Sequence, residues 1–170
     1  MKPQSTTIPT VKPVNTCSLQ NAKEATIGNS KYCLAKISTS TYTQAKTICR
    51  ALNSKLPVPR NNQETVDLVA ALNTLAITPS ESTPVILGIS DSSKGHQKGI
   101  WYDHDDQKLT YTNWAPGQPN NGYGYAQDYA AINRPNGKWG DYQNDQKSSA
   151  NWASGVVVCL QELVTSGKSG

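Results

Sequence analysis

Four cysteines, Cys17, Cys33, Cys49 and Cys159, constrain this chain of 170 residues more than any other feature. Their number is even, and no two of them form a C-x-x-C pair. Zinc ribbons and thioredoxin-like motifs need that close spacing, so the sequence supports neither. We therefore expect two disulfides formed in an oxidising compartment, and the sequence alone allows three connectivities.

The composition narrows the class of protein. Charged residues make up 16% of the chain and hydrophobic residues 36%, and the polar remainder is rich in Asn, Gln, Ser and Thr. This balance favours a loop-rich extracellular domain over a helical cytosolic one. No run approaches the roughly 18 apolar residues that a membrane span needs. The net charge of +4 is spread along the chain and forms no basic stripe, which argues against a nucleic-acid binder.

One domain with an extension at each end is the predicted organisation. Residues 1–16 are rich in Pro, Thr and Ser and predict a linker or stalk. Residues 17–164 are expected to form the folded domain, and residues 165–170 a flexible tail. No apolar signal segment follows Met1, so we expect a secreted domain in mature or excised form, with an added start methionine.

Two amphipathic helices are predicted in the first half of the chain. The first begins at Thr41, which starts a segment with capping-box spacing. The second begins at Asn61, and Glu64 follows three residues later as its reciprocal capping partner. Their buried faces are predicted to consist of Tyr42, Ala45, Ile48, Cys49 and Leu52 in the first helix and of Val66, Val69, Leu72 and Leu75 in the second.

After residue 80 the pattern becomes strand-like. Short apolar or alternating runs predict strands at residues 85–89, 100–102, 109–114, 129–132, 138–142 and 156–160. Asn136-Gly137 lies between two of these runs and predicts a tight hairpin. Residues 115–127 and 143–155 are polar and rich in Gly and Asn, which is typical of functional or mobile loops. The predicted architecture is α+β, with two helices, an antiparallel sheet and large loops on one side.

Several motifs occur in a characteristic order along the chain. They are the cysteine-bearing helix at 45–56, the helix start Pro59-Arg60-Asn61-Asn62, the buried strand at 87–91, the run 109–114 leading into Gln118-Pro119-Asn120, the triplet Trp139-Gly140-Asp141, and the closing strand Val157-Val158-Cys159. This ordered set resembles the C-type lectin domain from Cys17 to about Leu163. The resemblance implies an α+β, C-type lectin-like fold with a long ligand-binding loop region.

The family resemblance also implies a disulfide pairing. Cys49 would join Cys159, and Cys17 would join Cys33 in the N-terminal hairpin of the family's long form. Closing the long loop between Cys49 and Cys159 would contribute roughly 4–5 kcal/mol in the chain-entropy model. The family's other disulfide is missing, because Tyr129 stands where one of its cysteines is expected. We therefore expect residues 143–155 to be more mobile than in a typical relative.

A calcium site is the main functional implication of the resemblance. Its five positions are here Gln118, Asn120, Gln127, Gly140 and Asp141. Asp141 is the one carboxylate among them, Gly140 has no side chain to offer, and Asp128 is the nearest candidate for a second carboxylate. Because calcium affinity depends largely on the number of charged ligands, we expect a weak calcium site or none. The family's accessory site is expected to be lost, because Asp91 is retained while Lys98 and Asn121 occupy acidic positions.

Carbohydrate is the ligand that the resemblance implies, held at Gln118, Asn120 and Asp141. The tripeptide carries an amide at both ends, so it matches neither the mannose-type nor the galactose-type motif of the family. Tyr123 and Tyr125 offer an aromatic face for stacking, which inclines the prediction to galactose-like sugars. The alternative is a calcium-independent domain that binds protein through the same loops.

The remaining candidate residues have structural interpretations. Trp101, Trp114 and Trp139 are expected in the core, and His96 and His104 on the surface. The acidic run Asp103, Asp105 and Asp106 resembles a charged turn. The sequence contains no G-x-S-x-G, no H-E-x-x-H and no Gly-rich phosphate loop, so we do not expect an enzyme.

Overall fold

The computed structural model describes residues 16–37, 41–91, 99–121, 127–143 and 156–164. Two helices and seven strands occur within these ranges. In chain order they are β1 (Lys23–Ile27), β2 (Ser30–Ile37), α1 (Tyr42–Ala51), α2 (Asn62–Thr74), β3 (Val85–Ser90), β4 (Tyr102–Asp103), β5 (Tyr129–Ile132), β6 (Trp139–Tyr142) and β7 (Val157–Leu163). Neither helix is long and apolar enough to cross a membrane.

The strands form two antiparallel sheets. One has the order β1-β2-β7 and the other the order β4-β3-β5-β6. The last strand, β7, pairs with β2 over residues Lys31 to Ile37, so the two ends of the domain lie side by side. The predicted hairpin at Asn136-Gly137 is confirmed, because β5 pairs with β6 and the Gly137 N–H donates to the Arg134 carbonyl at 3.0 Å.

Two apolar clusters form the core. The larger one packs α2 against both sheets, and Leu72, Leu87 and Trp139 at its centre are fully buried. The smaller one surrounds α1 and includes Cys49, Ala45 and the stacked ring of Tyr129. The predicted core positions of the tryptophans are confirmed, since Trp101 and Trp139 are buried and Trp114 packs against the same cluster.

Both helices begin where the sequence predicts, because their capping side chains are in place. Thr41 Oγ1 accepts from the Gln44 N–H, and Asn61 Oδ1 accepts from the Glu64 N–H. The predicted buried face of α2 is wrong in part. Val66 is 55% exposed, and the buried positions are Thr65, Leu68, Ala71 and Leu72.

Two predicted strands are reduced in the structure. Residues 109–114 form no strand, and residues 100–102 contribute only the start of β4, which pairs with β3 at two positions. The backbone of this region instead makes single hydrogen bonds outside any strand ladder, such as the one that the Leu109 N–H donates to the Trp101 carbonyl at 2.9 Å.

The cysteines pair as the family resemblance implies. Cys49 of α1 is joined to Cys159 of β7, and Cys17 is joined to Cys33 of β2. The first bridge therefore ties the first helix to the last strand, across a sequence separation of 110 residues.

Candidate functional site

The segment that contains Gln118-Pro119-Asn120 runs beside β6. The Trp139 N–H donates to the Asn113 carbonyl at 2.9 Å, and the Ala115 N–H donates to the Trp139 carbonyl at 2.8 Å. These bonds form a parallel bridge between Trp114 and Trp139, whose rings meet edge to face with centroids 5.5 Å apart. Because the two chain segments are fixed side by side here, the tripeptide is brought next to the end of β6.

Asp141 of β6 anchors the tripeptide through its carboxylate. Oδ1 accepts from the Asn120 N–H at 3.0 Å, and Oδ2 accepts from the Asn121 N–H at 2.7 Å. Asp141 is only 4% exposed, and hydrogen bonds from backbone amides stabilise a buried carboxylate. Each oxygen of the Asp141 carboxylate therefore already accepts a backbone hydrogen bond, and a ligand that binds there would have to share that oxygen with the backbone N–H group.

Gln118 contributes a buried oxygen atom that lacks a protein partner. Its Oε1 accepts no hydrogen bond within the described part of the chain. The Gln118 N–H donates to the Ala115 carbonyl at 3.0 Å, and the peptide bond to Pro119 is cis. A buried carbonyl oxygen without a partner costs roughly 1–3 kcal/mol, so an N–H, O–H or cation delivered to it would be favoured.

Gly140, at the family's asparagine position, leaves no space for a side chain. A Cβ built on Gly140 would lie 2.5 Å from Asn133 Nδ2. Asn133 is 5% exposed, and its Nδ2 donates to the Tyr142 hydroxyl at 3.1 Å. Successive side chains of a strand point to opposite faces, so position 140 faces away from the side on which Asp141 holds the tripeptide.

Gln127 and Asp128 border the same region. The Gln127 N–H donates to Asn121 Oδ1 at 3.0 Å, which ties the two ends of the loop together. The Asp128 carbonyl accepts from the Asp91 N–H at 3.0 Å. Asp91 is buried, and its Oδ2 accepts from the Gly99 N–H at 3.0 Å, so this carboxylate stabilises the chain after β3. Tyr123, Tyr125 and Lys98 lie outside the described residues.

Most of the side-chain oxygen atoms available to a calcium ion at this site belong to uncharged amides. Within the described ranges, no group of three or more His, Cys, Asp or Glu side chains is placed to hold a metal ion. The oxygen donors are the orphaned Gln118 Oε1, the exposed Asn120 side chain and the Asp141 carboxylate. One carboxylate and two amides therefore give this set few charged ligands, and calcium affinity depends on the number of charged ligands.

The charged turn after β4 is built around one buried carboxylate. Asp103 Oδ1 accepts from the N–H groups of Asp105 and Gln107, and Oδ2 pairs with Arg60 Nη2 at 2.6 Å. These bonds hold the pKa of Asp103 below its ordinary value although burial opposes the shift. Asp103 is 2% exposed, so the predicted acidic turn exists but this carboxylate is not open to a cation.

The predicted surface position of His104 is wrong. The residue is 6% exposed, and neither ring nitrogen makes a hydrogen bond within the described part of the chain. Its Nδ1 lies over Gly88, where an added Cβ would be 2.4 Å away. The sequence gives one usable signal, a glycine in the centre of β3, but not the identity of the residue that fills the space. His96 lies outside the described residues.

The fold and the tripeptide site together define a lectin-like binding domain, and the comparisons with known proteins agree. The C-type lectin domain family matches residues 38–151, about two thirds of the chain. The chain therefore belongs to the C-type lectin domain family.

Two curated relatives are about one third identical in sequence to this chain over the aligned region. Pulmonary surfactant-associated protein D of Bos taurus is 35% identical over 104 residues, which cover 61% of this chain and 25% of that protein. The mannose-binding protein of Gallus gallus is 34% identical over 96 residues, which cover 56% of this chain and 33% of that protein. The chain thus spans a third or less of the length of these relatives.

Among solved structures, the carbohydrate-recognition domain of the mouse scavenger receptor C-type lectin has the same fold. Its TM-score to this chain is 0.64 at 22% sequence identity. The similarity covers 88% of this chain and 100% of that domain. At this identity the similarity establishes the shared fold, and the ligand has to be argued from the residues of the site.

Proposed function

We propose that this chain is an extracellular, non-enzymatic lectin that binds carbohydrate at Gln118, Asn120 and Asp141, with weak help from calcium. The observation that carries the proposal is the buried Gln118 Oε1, which accepts no hydrogen bond within the described residues, two positions from an amide clamped by Asp141. A donor-rich ligand such as a sugar, or a cation, relieves the cost of that oxygen.

Asp141 prepares the loop for this ligand. By accepting from two successive backbone amides, it fixes the direction in which the Asn120 side chain projects. Preorganisation of this kind lowers the conformational cost of binding. The rigid clamp is also a constraint on calcium, because a cation has to share a carboxylate that two N–H groups already occupy.

Calcium, when bound, would supply a positive charge that attracts two neighbouring sugar hydroxyls. The residues that would hold it are Gln118, Asn120 and Asp141, with Gln127 and Asp128 at the border of the site. Amide carbonyls at both ends of the tripeptide support a dissociation constant in the millimolar range, which is typical of weak extracellular sites.

Galactose-type sugars are the favoured class, because Gln118 presents an amide where a mannose-type site presents a carboxylate. Tyr123 and Tyr125 would add an aromatic stacking face. Two disulfides, Cys17–Cys33 and Cys49–Cys159, support an oxidising and hence extracellular setting.

The proposal is tested by thermal unfolding in EDTA and in millimolar calcium, followed by a glycan array. At a calcium concentration ten times the dissociation constant, binding adds about 1.4 kcal/mol to the native state. For a domain of this size that corresponds to a rise in Tm of roughly 3–6 °C. A galactose-bearing glycan should bind in calcium and be released by EDTA.

The substitution Gln118→Glu sharpens the test because its effect reverses in sign. In EDTA it should lower Tm, since it places a charge on a buried oxygen. In calcium it should raise Tm above that of the parent, since it adds a second charged ligand. Gln20→Glu, on an exposed residue shortly before β1, is the matched control and should change neither value.

The alternative function predicts a different pattern. One engaged carboxylate and a loop already closed by its own hydrogen bonds favour a calcium-independent surface that binds protein. Identical Tm values in EDTA and calcium for the parent and for Gln118→Glu, together with an empty glycan array, would contradict the lectin proposal and favour that alternative.

A further inference from the structure

A groove of about 320 Å³ lies directly beside the tripeptide. Pro119, the middle residue of the tripeptide, contributes to its lining, and the other described lining residues come from the segments before and after β4. Successive Cα atoms are about 3.8 Å apart across a trans peptide, so Asn120, whose N–H the Asp141 carboxylate accepts, is one residue from the groove. A ligand bound at Asn120 therefore has the groove immediately next to it.

Two tryptophans form the rigid part of the groove. The rings of Trp101 and Trp114 are tilted against each other at 57°, with centroids 4.7 Å apart. Trp101 is buried, whereas Trp114 is partly exposed and also packs edge to face on Trp139. An aromatic side chain that its neighbours already fix loses little conformational entropy when a ligand contacts it. The exposed part of Trp114 is therefore a preorganised contact surface.

The groove continues along further apolar side chains. Ile100 and Leu109 are partly exposed along it, and Pro119 is exposed. Leu109 also packs against the larger core cluster, whereas Ile100 is not part of that packing within the described residues. Covering apolar surface removes it from water, and exposed apolar surface that adjoins a binding site favours a ligand that covers it.

Polar groups are few in the groove. The described lining contains one charged residue, Lys108, no carboxylate, and one hydroxyl group, that of Thr112. Both of these side chains are exposed, so they border the groove on its solvent side. A second sugar unit would bring several hydroxyl groups against the apolar wall, and hydroxyl groups that lose water without gaining a partner are unfavourable there. The groove therefore favours an apolar group over a second sugar.

We propose that this groove is a subsite for an apolar aglycone, a ring-sized neutral group joined to the anomeric oxygen of the bound sugar. A dry cavity of about 150 Å³ is sufficient for one benzene molecule, so the volume of the groove accommodates a phenyl ring. The inference rests on the proposed lectin function and narrows its ligand class from carbohydrate in general to glycosides that carry an apolar aglycone.

The methyl and phenyl β-glycosides of galactose and of mannose are the probes, and NMR titration of the ¹⁵N-labelled chain in millimolar calcium is the measurement. The phenyl glycoside of the bound sugar should bind about tenfold more tightly than the methyl glycoside, because it covers apolar surface that the methyl group does not reach. Both probes should shift the Asn120 amide, and the phenyl probe alone should shift the Ile100 amide and the Trp114 indole N–H.

Two variants locate the subsite. Ile100→Ala should reduce the tenfold advantage of the phenyl glycoside to about threefold or less and leave the affinity for the methyl glycoside unchanged. Val66→Ala, which shortens a branched side chain on the exposed face of α2, is the matched control and should change neither affinity. Lys108→Met should preserve the advantage, because a phenyl ring carries no charge for the ammonium to attract.

Equal affinity for the methyl and phenyl glycosides would overturn the aglycone subsite and leave the lectin function standing. An equal gain with methyl β-lactoside would mean that the groove accepts a second sugar, and loss of the gain in Lys108→Met would mean that the ammonium holds the ring. Either result contradicts an apolar subsite. If no glycoside binds, the lectin proposal fails and the aglycone assignment fails with it. The ratio of the two affinities is measured on the unsubstituted chain, so the test does not depend on the folding of a variant.

Discussion

The imidazole of His104 is a buried base between charges of both signs. Its Nε2 lies 3.4 Å from Asp105 Oδ2, and Asp103, Lys55 and Arg60 are the other charged groups around it. Burial dominates and lowers the pKa of His104 to about 4, reinforced by the two cations and opposed by the two carboxylates. The side chain is therefore neutral in the folded protein at neutral pH.

Acid should destabilise the protein through His104. An unfolded histidine has a pKa of about 6.5, so between that pH and pH 4 the unfolded chain binds a proton that the folded chain does not. The stabilisation from the neutral His104 is fully present above about pH 6.5 and is lost as the pH falls. The loss of stability reaches about 2–3 kcal/mol near pH 4.5.

Urea unfolding at pH 7 and pH 4.5 measures this loss. The comparison with His104→Gln cancels the carboxylates, which also titrate in acid, and the variant should show a smaller loss of stability by about 2 kcal/mol. Equal pH dependence in the parent and the variant would contradict this, because it would mean that His104 has the same pKa in the folded and the unfolded chain.

At the scale of the element, the geometry of β6 explains why an asparagine at position 140 should not restore the family's calcium ligand. Gly140→Asn restores the residue type of the family, but its Cβ meets the buried Asn133. We expect a loss of about 1–3 kcal/mol from overpacking and no gain in calcium affinity, because position 140 does not face Asp141's ligand side.

Chemical denaturation and calcium titration of Gly140→Asn, Asn133→Gly and the double variant check this prediction. Gly140→Asn alone should be destabilised, and combination with Asn133→Gly should recover part of the loss, since the two substitutions share one space. Tighter calcium binding by Gly140→Asn at unchanged stability would contradict the prediction, because it would mean that the side chain at position 140 reaches the tripeptide.

The helices show how far local sequence determines an element. Thr41 and Asn61 are predictable as caps because capping depends on a side chain and an N–H three residues away. The buried face of α2 is less predictable. Each step of three residues falls about 60° short of a full turn, so the predicted stripe shares Leu72 with the buried face, whereas Val66, two steps earlier, lies about 120° round the helix from it.

At the scale of the whole molecule, the cysteine pattern and the motif order predict the fold, because they act through spacing along the chain. For the candidate site, the sequence offers candidate residues but not their hydrogen bonds. Gln118 and Asp141 are recognisable from the motifs, but the two backbone N–H groups that donate hydrogen bonds to Asp141 are positioned by the pairing of Trp114 with Trp139 in the tertiary structure. The same holds for His104, whose burial depends on a glycine in another strand.

The two disulfides act on loops of different length, and their contributions should differ accordingly. The Cys49–Cys159 bridge closes a separation of 110 residues and the Cys17–Cys33 bridge one of 16. In the chain-entropy model these loops correspond to about 4.8 and about 3.1 kcal/mol. Replacing both cysteines of the long bridge by alanine should therefore destabilise the domain by about 2 kcal/mol more than replacing those of the short one.

The difference should exceed the entropy term, because Cys49 and Cys159 are both fully buried and alanine leaves a small cavity at each. Urea unfolding of the two paired variants at neutral pH measures it. The short bridge serves as the internal control, since it joins the N-terminal segment to the same sheet. A larger loss from the short bridge would mean that the N-terminal segment contributes more to stability than loop length predicts, and that β2 depends on it to pair with β7.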